Sequence, residues 1–219
     1  DVLEVAGVNL TLSAEDVAAT IEQVGIGFMF APAHHSAMKH VITARKEIGV
    51  RTVFNLLGPL TNPAGAPNQI IGVFDVAWIP SLLEVLKELG SSHVLIVSAE
   101  DGLDEISIAA TSTVGELRDG EILMYTVEPS DFGIERYADH SMLQIDSAEA
   151  SLAMLKDALG NRNQAAADIV ALNAGAAIYA ANLTDDLAAG VVRAQSILQS
   201  GEALAKLEQL VEFTQSLKK

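Results

Sequence analysis

Residues 69–97, QIIGVFDVAWIPSLLEVLKELGSSHVLIV, decide the fold class. The segment opens with an apolar run over Gln69–Phe74 and closes with a second over His93–Val97, both of the length and composition of buried strands. Between them, Ile79–Leu89 has apolar residues at helical spacing, and Gly90 ends the pattern. This strand–helix–strand order predicts two parallel strands joined by a right-handed crossover, and hence an α/β protein.

Downstream of this unit the pattern predicts more strands and then helices only. Ser112–Glu116 and Ile122–Val127 alternate polar and apolar residues around the turn sequence RDG, which predicts a hairpin or an excursion at the sheet edge. Helices are expected at about 148–159, 165–181 and 186–217, the last broken near Gly201. The second of these is rich in alanine, so we expect a closely packed core helix whose Asn173 is a hydrogen-bonded core amide.

Upstream of residue 69 the pattern is helical. A capping-box-like start at Ser13 predicts a helix to about Val24, and strong helical periodicity follows over 36–48 and again, more briefly, over 52–57. We therefore expect the end of a helix at 1–10, an all-helical segment at 11–66 and an α/β domain at 67–219. The sheet of that domain is expected to be mainly parallel, with flanking helices.

The composition limits the classes of function. Asp and Glu outnumber Lys and Arg by 29 to 13, which gives a net charge of −16. Such an excess of acid repels phosphate backbones, so we expect no nucleic-acid partner. No apolar run approaches the ~18 residues that span a bilayer, so we expect no membrane insertion. The absence of cysteine excludes thiolate catalysis and Cys-based metal sites, and it fits a cytoplasmic protein.

Arg45 and two histidines are candidates for binding a small anion. Arg45 has largely apolar neighbours, and its guanidinium could grip a carboxylate with two hydrogen bonds, or pair with Glu47 or Glu22 at the surface. His34 and His35 precede the same helix, where the helix dipole favours a neutral imidazole that could contact a ligand or simply cap the helix. An ideal helix separates His35 from Arg45 by about 15 Å, so spacing alone does not bring them to one ligand.

The sequence GPLTNP at 58–63 joins the helical segment to the α/β segment. Gly58 permits close approach of the backbone, and Pro59 fixes the chain without adding polar atoms. These properties suit the wall of a pocket for an aromatic ligand at a domain junction, and they equally suit a rigid linker.

The loop DGLDE at 101–105 is the best chemical candidate. It follows the buried strand at 93–97, and parallel α/β sheets bind ligands beyond the carboxyl ends of their strands. Carboxylates in such a loop can bind one or two Mg²⁺ ions that also take substrate phosphates as ligands. The alternative is an acidic turn exposed to solvent.

Together, these segments resemble one enzyme family. Residues 28–32 read FMFAP, residues 34–65 read HHSAMKHVITARKEIGVRTVFNLLGPLTNPAG, and the DGLDE loop follows them. In this order the sequence resembles the anthranilate phosphoribosyltransferases, whose fold is like that of nucleoside phosphorylases. The resemblance runs over most of the chain, and the 34–65 block is its most specific part.

The resemblance implies transfer of the phosphoribosyl group of PRPP to the amine of anthranilate, with release of pyrophosphate, in tryptophan biosynthesis. It implies that Arg45 holds the carboxylate of anthranilate and that His35, Gly58 and Pro59 line the route by which anthranilate enters. No residue is assigned as a catalytic acid or base. An aniline nitrogen is already neutral at pH 7, so positioning it against the ribose carbon is the main requirement.

On the donor side, the resemblance implies that Asp104 and Glu105 bind Mg²⁺ associated with PRPP. It also implies a homodimer formed through the helical segment. The family's glycine-rich PRPP loop, Gly-Thr-Gly-Gly-Asp, and its Lys-His-Gly-Asn-Arg segment do not occur in the 219 residues. Because backbone N–H groups of such a loop cradle pyrophosphate, we expect this chain to be a fragment that is inactive alone.

Two other readings stay open at this point. One is a nucleoside phosphorylase of the same superfamily, which would use phosphate and a nucleoside. The other is a non-catalytic paralogue that binds nucleic acid, against which the net charge of −16 argues.

Overall fold

The computed structural model describes residues 1–34 and 58–217. The α-helices in these ranges are α1 (Val2–Val5), α2 (Ala14–Val24), α3 (Ala31–His34), α4 (Ile79–Glu88), α5 (Ala148–Leu159), α6 (Gln164–Ala180), α7 (Leu187–Ser200) and α8 (Glu202–Ser216). The strands are β1 (Asn68–Gly72), β2 (His93–Ala99), β3 (Ser112–Arg118) and β4 (Glu121–Val127). Short 3-10 helices lie at Val76–Trp78, Pro129–Phe132 and Ser141–Leu143. The helices expected over 36–48 and 52–57 lie outside the described residues.

The strands form one sheet in the order β1-β2-β3-β4. The β1–β2 pair is parallel, as the strand–helix–strand segment predicts, with Asn68 opposite His93. The other two pairs are antiparallel, so within the described residues the prediction of a mainly parallel sheet is wrong. The cause is local. No helix separates β2 from β3, so the chain cannot cross over and β3 runs back along β2. The predicted hairpin then adds β4, with positive φ at Asp119 (52°) and Gly120 (81°) in its turn.

Helices cover both faces of the sheet. β2 is buried along its whole length, and its residues alternate between the two sides. Val94 and Ile96 pack in a cluster with Leu83 of α4, whereas Leu95 and Val97 pack in a cluster with Leu172 of α6. This burial on both faces explains why the strand reads as a continuous apolar run in the sequence.

The α6–α7 pair is packed through glycine. A β-carbon on Gly190 of α7 would overlap the carbonyl oxygen of Gly175 in α6. In the other direction, a β-carbon on Gly175 would lie 2.6 Å from the backbone of Val191. The two helix backbones are therefore in direct contact, and the closely packed core helix expected over 165–181 is confirmed.

The N-terminal segment packs on the last helix. Ser13 and Asp16 form the capping box expected at the start of α2. Val24, at the end of α2, shares a small buried cluster with Leu210 of α8, and its carbonyl accepts a hydrogen bond from Lys206 Nζ at 2.8 Å. The break expected near Gly201 is also confirmed, because Gly201 adopts φ 78° between α7 and α8.

None of the helices within residues 1–34 and 58–217 has the length and apolar character needed to cross a membrane. The boundaries proposed at residues 10 and 66 stay predictions. Helix α2 of the predicted helical segment 11–66 contacts α8 of the predicted α/β domain, as described above.

Candidate functional site

The DGLDE loop leaves β2 in a tight, hydrogen-bonded turn. Ala99 N–H donates to Leu103 O and Gly102 N–H donates to Ala99 O, both at 3.0 Å. Gly102 adopts φ 87°, a conformation that side chains other than Asn and Asp rarely tolerate. The turn places Asp104 and Glu105 beyond the carboxyl end of β2, both exposed, where ligands bind in α/β sheets.

The first acid of the loop has a different role from the other two. Asp101 Oδ2 accepts a hydrogen bond of 2.6 Å from the hydroxyl of Ser107, and His140 Nδ1 lies 3.2 Å from the same oxygen. Its other oxygen is 3.4 Å from the N–H of Leu103, which donates to it. Because three neighbouring groups already contact its carboxylate, Asp101 stabilises the loop itself. The carboxylates of Asp104 and Glu105 are left available to a ligand.

Two residues from distant elements fix this loop in place. Gly72, the last residue of β1, lies so close that a β-carbon there would overlap the carbonyl oxygen of Asp104. From the other side, the side-chain amide of Asn173 in α6 hydrogen-bonds both the N–H and the C=O of Ile106. The sequence indicated Asn173 only as a hydrogen-bonded core amide; its hydrogen bonds are confirmed, but the side chain is half-buried and lines a cavity, and nothing in the sequence indicated a contact with this loop. A lone glycine at a strand end was the available signal for Gly72.

The acid pair lies where two cavities adjoin. A cavity of about 370 Å³ runs between β1 and α6, and Gly72, Asp104, Glu105 and Asn173 are among its lining residues. Glu105 also lines a cavity of about 590 Å³ that includes His140 and mainly apolar side chains of α5 and α6. Both volumes are in the range of small-molecule sites.

The electrostatics of the pair suit a cation. Although Glu105 is exposed at its surface, partial burial of its carboxyl group raises its pKa, and the neighbouring charge of Asp104 raises it further. A cation beside the two carboxylates would offset the repulsion that Glu105 experiences from Asp104. Within 1–34 and 58–217, no set of three or more His, Asp or Glu side chains is arranged to hold a metal ion. A metal at Asp104 and Glu105 would therefore need water or ligand oxygens to complete its coordination.

Of the residues expected on the acceptor side, the structure describes Gly58 and Pro59, and it does not bring these two to the loop. Arg45 and His35 lie outside the described residues. Gly58 is exposed, and the half-buried Pro59 lines a cavity of about 230 Å³ together with Gln69, near the start of β1. The acid pair lies at the opposite end of β1. His34, which the sequence analysis weighed beside His35, ends α3, and its Nε2 atom is buried with no hydrogen-bond partner among the described residues.

Comparison with known proteins gives one consistent answer. The family model described as "Glycosyl transferase family, a/b domain" matches residues 1–204. The anthranilate phosphoribosyltransferase of Thioalkalivibrio sulfidiphilus is 57% identical over 216 residues, which is 99% of this chain and 64% of that protein. That of Burkholderia cenocepacia is 49% identical over 219 residues, 100% of this chain and 64% of that protein.

Solved structures agree with the sequence comparison. The crystal structure of anthranilate phosphoribosyltransferase from Thermus thermophilus superimposes with a TM-score of 0.88 at 41% identity, over 98% of this chain and 63% of that one. The Saccharomyces cerevisiae enzyme in complex with PRPP and Mg has a TM-score of 0.88 at 26% identity, over 99% of this chain and 62% of that one. The resemblance to anthranilate phosphoribosyltransferases is therefore confirmed.

The chain spans 62% to 64% of the length of these relatives. Its α/β fold and its sequence match the same set of proteins. The match to the family model covers more than nine-tenths of the 219 residues, since it runs from residue 1 to residue 204. The chain belongs to the glycosyl transferase family that is defined by this α/β domain.

Proposed function

We propose that this chain carries the anthranilate-binding residues and the metal-binding acids of an anthranilate phosphoribosyltransferase. The observation that carries the proposal is the position of Asp104 and Glu105 at the carboxyl end of β2, in a chain 57% identical to one such enzyme. The reaction would transfer the phosphoribosyl group of PRPP to the amine of anthranilate and release pyrophosphate.

On the donor side, Asp104 and Glu105 would hold Mg²⁺. Their oxygens are the hard ligands that Mg²⁺ prefers, and a site with two protein carboxylates leaves coordination positions for water and phosphate. When bound, Mg²⁺ stabilises the negative charge that develops on the departing pyrophosphate. The structure of the yeast relative in complex with PRPP and Mg supports a magnesium ion on the donor side.

On the acceptor side, Arg45 would bind the carboxylate of anthranilate, and His35, Gly58 and Pro59 would line its route to the site. A guanidinium that grips a carboxylate through two bonds fixes the orientation of the ring and therefore of its amine. The amine is uncharged at neutral pH, so no strong base is required. Positioning it in this way should lower the barrier by an amount on the order of several kcal/mol.

The test is an assay of the full-length protein that contains this chain. Loss of anthranilate fluorescence should require PRPP and Mg²⁺ together. We expect Arg45→Ala to raise the KM for anthranilate and Glu105→Gln to raise the Mg²⁺ concentration needed for half-maximal rate. Release of a free base from a nucleoside and phosphate, with no consumption of anthranilate, would instead indicate the nucleoside phosphorylase. An unchanged anthranilate KM in Arg45→Ala, with PRPP binding lost, would contradict the role of Arg45.

We also propose that the full-length protein is a homodimer formed through the helical segment. Light scattering at micromolar concentration should give twice the mass of one chain. A monomer that consumes anthranilate at the normal rate would contradict this part of the proposal and leave the proposed reaction intact.

A further inference from the structure

The side chain of Asn173 acts as a clamp on the backbone next to the acid pair. Its Oδ1 accepts from Ile106 N–H at 2.9 Å, and its Nδ2 donates to Ile106 O at 3.0 Å. The second hydrogen of Nδ2 is donated to Ile169 O, one helical turn back, at 2.9 Å. The primary amide therefore uses both donors and an acceptor, and its orientation is fixed by that pattern.

The two hydrogen bonds between Asn173 and Ile106 take the place of those that a neighbouring strand would make with the loop. An amide side chain has the same donor and acceptor geometry as a peptide group, so Asn173 pairs with Ile106 as a neighbouring strand would. Ile106 is 1% exposed, so its N–H and C=O would have no water to replace these bonds. The contact joins α6 to the loop across 67 positions of the chain.

Glu105 lies between this clamp and a second fixed point. One residue after Glu105 the backbone is bonded to Asn173, and one residue before it the carbonyl of Asp104 rests on Gly72. Gly72 and Asn173 also line the same cavity as the two acids. Neither residue offers a charged ligand to a metal, yet together they set where the backbone carrying both carboxylates lies.

We propose that Asn173 is a positioning residue for the metal-binding carboxylates Asp104 and Glu105. The inference rests on the proposed function, because it concerns the same metal site. Mg²⁺ demands near-ideal octahedral geometry, so freedom in the backbone that carries its ligands weakens binding. When a group that orients a metal ligand without contacting the metal is removed, the affinity for the metal typically falls by about 10-fold or more.

The experiment is an NMR titration of the full-length protein that contains this chain with Mg²⁺ alone, followed through the backbone amide signals of residues 104–106. We expect Asn173→Ala to weaken the apparent Mg²⁺ affinity about 10-fold. In the same variant without metal, the Ile106 amide should exchange with solvent about 10-fold faster, while the Leu95 amide in β2 is unchanged. If Asn173→Ala does not fold, Asn173→Ser, which keeps a small polar group at this position, allows the same two measurements.

The matched control is Asn182→Gly. Asn182 Oδ1 lies 2.8 Å from His93 Nδ1 at the other end of β2, and glycine tolerates its φ of 58°. This variant also removes an amide contact, made here to the buried ring of His93, so it should lower stability and leave Mg²⁺ affinity unchanged. Equal weakening in both variants would overturn the positioning role, because the effect would then follow stability alone.

Failure of the metal site itself has a separate signature. Glu105→Gln should abolish the shifts of the 104–106 amides. If the unsubstituted full-length protein shows no such shifts with Mg²⁺, the metal assignment is wrong and the inference falls with it. If that protein and Glu105→Gln behave as expected but Asn173→Ala binds Mg²⁺ normally, only the role of Asn173 is overturned.

Discussion

Gly72 and Asp104 touch through their backbones. The Cα of Gly72 lies against the carbonyl oxygen of Asp104, and the position of a β-carbon on Gly72 is already filled by that oxygen. The contact exists because β1 and β2 are parallel, so both strands end at the same edge of the sheet and the loop after β2 folds over the end of β1. Thus residue 72 affects the acid pair although it carries no side chain.

We expect Gly72→Ala to displace the DGLDE loop and to lower the free energy of unfolding by about 2 kcal/mol or more. The added methyl group meets backbone, which cannot rotate away as a flexible side chain could. Urea denaturation monitored by circular dichroism measures the loss. The amide signals of residues 104–106 should also shift in this variant.

Gly90→Ala is the reference for this measurement. Gly90 has φ 83°, and apart from its neighbours in sequence no atom of the described residues lies within 4 Å of the position of its β-carbon, so the substitution reports the cost of backbone conformation alone, about 1 kcal/mol. If Gly72→Ala costs no more than Gly90→Ala and leaves the 104–106 amides in place, the loop does not depend on Gly72.

The fold follows from the sequence wherever a local pattern is strong. The parallel pair β1–β2 and the helix between them were predicted from apolar runs and spacing alone. The break at Gly201 was also visible, because a glycine at the end of a helical pattern favours the left-handed conformation that it adopts here.

The parts that could not be predicted depend on contacts between distant residues. β3 runs antiparallel to β2 because the connection from residue 100 to 111 contains no helix. The apolar stretch within that connection does not reveal in which direction the next strand runs. Likewise, the residues of the loop do not by themselves distinguish Asp101 from Asp104 and Glu105, and only the family resemblance singles out the last two. Only the fold shows that Ser107 and His140 occupy Asp101, and that Asn173 reaches the loop from α6.

Gly190→Ala should destabilise the protein by about 2–3 kcal/mol. Its β-carbon would overlap the carbonyl of Gly175, so α6 and α7 would have to move apart along a contact that both helices bury. Thermal unfolding should show the loss as a lower Tm. The control is Ala188→Gly, at an exposed position in the first turn of α7, which should cost no more than about 1 kcal/mol through helix propensity. Equal Tm values for these two variants would show that α6 and α7 can separate at little cost.

Glu116→Gln should cost about 1.5–3 kcal/mol of stability, the range for hydrogen bonds to a buried charge. The carboxylate of Glu116 is 6% exposed and accepts from the hydroxyls of Tyr179 at 2.7 Å and Tyr125 at 2.9 Å. His93 Nε2 lies 3.1 Å from the same group. An amide removes the charge and turns a donor toward one of these partners.

Tyr125→Phe distinguishes the contribution of a single hydrogen bond to Glu116 from the contribution of its charge. It removes one donor to Glu116 and leaves the carboxylate with its two other partners, so we expect a loss of about 1 kcal/mol in urea denaturation. A larger loss for Tyr125→Phe than for Glu116→Gln would mean that the hydroxyl of Tyr125, and not the charge of Glu116, dominates this cluster.

The three tyrosines of the chain should resist ionisation in the folded state. Burial is the largest cause in each case: it raises the pKa of Tyr137 to about 12, helped by the hydrogen bond to Asp168, and it raises the pKa values of Tyr125 and Tyr179, both beside Glu116. The unfolded chain therefore loses phenolic protons first as pH rises past about 10. The contribution of these tyrosines to the free energy of unfolding is therefore fully present below about pH 10, and it should fall as the pH rises toward the folded-state pKa values. Absorbance at 295 nm should give a native midpoint at least about one pH unit above that in urea, and a native tyrosine that titrates near pH 10 would contradict the prediction.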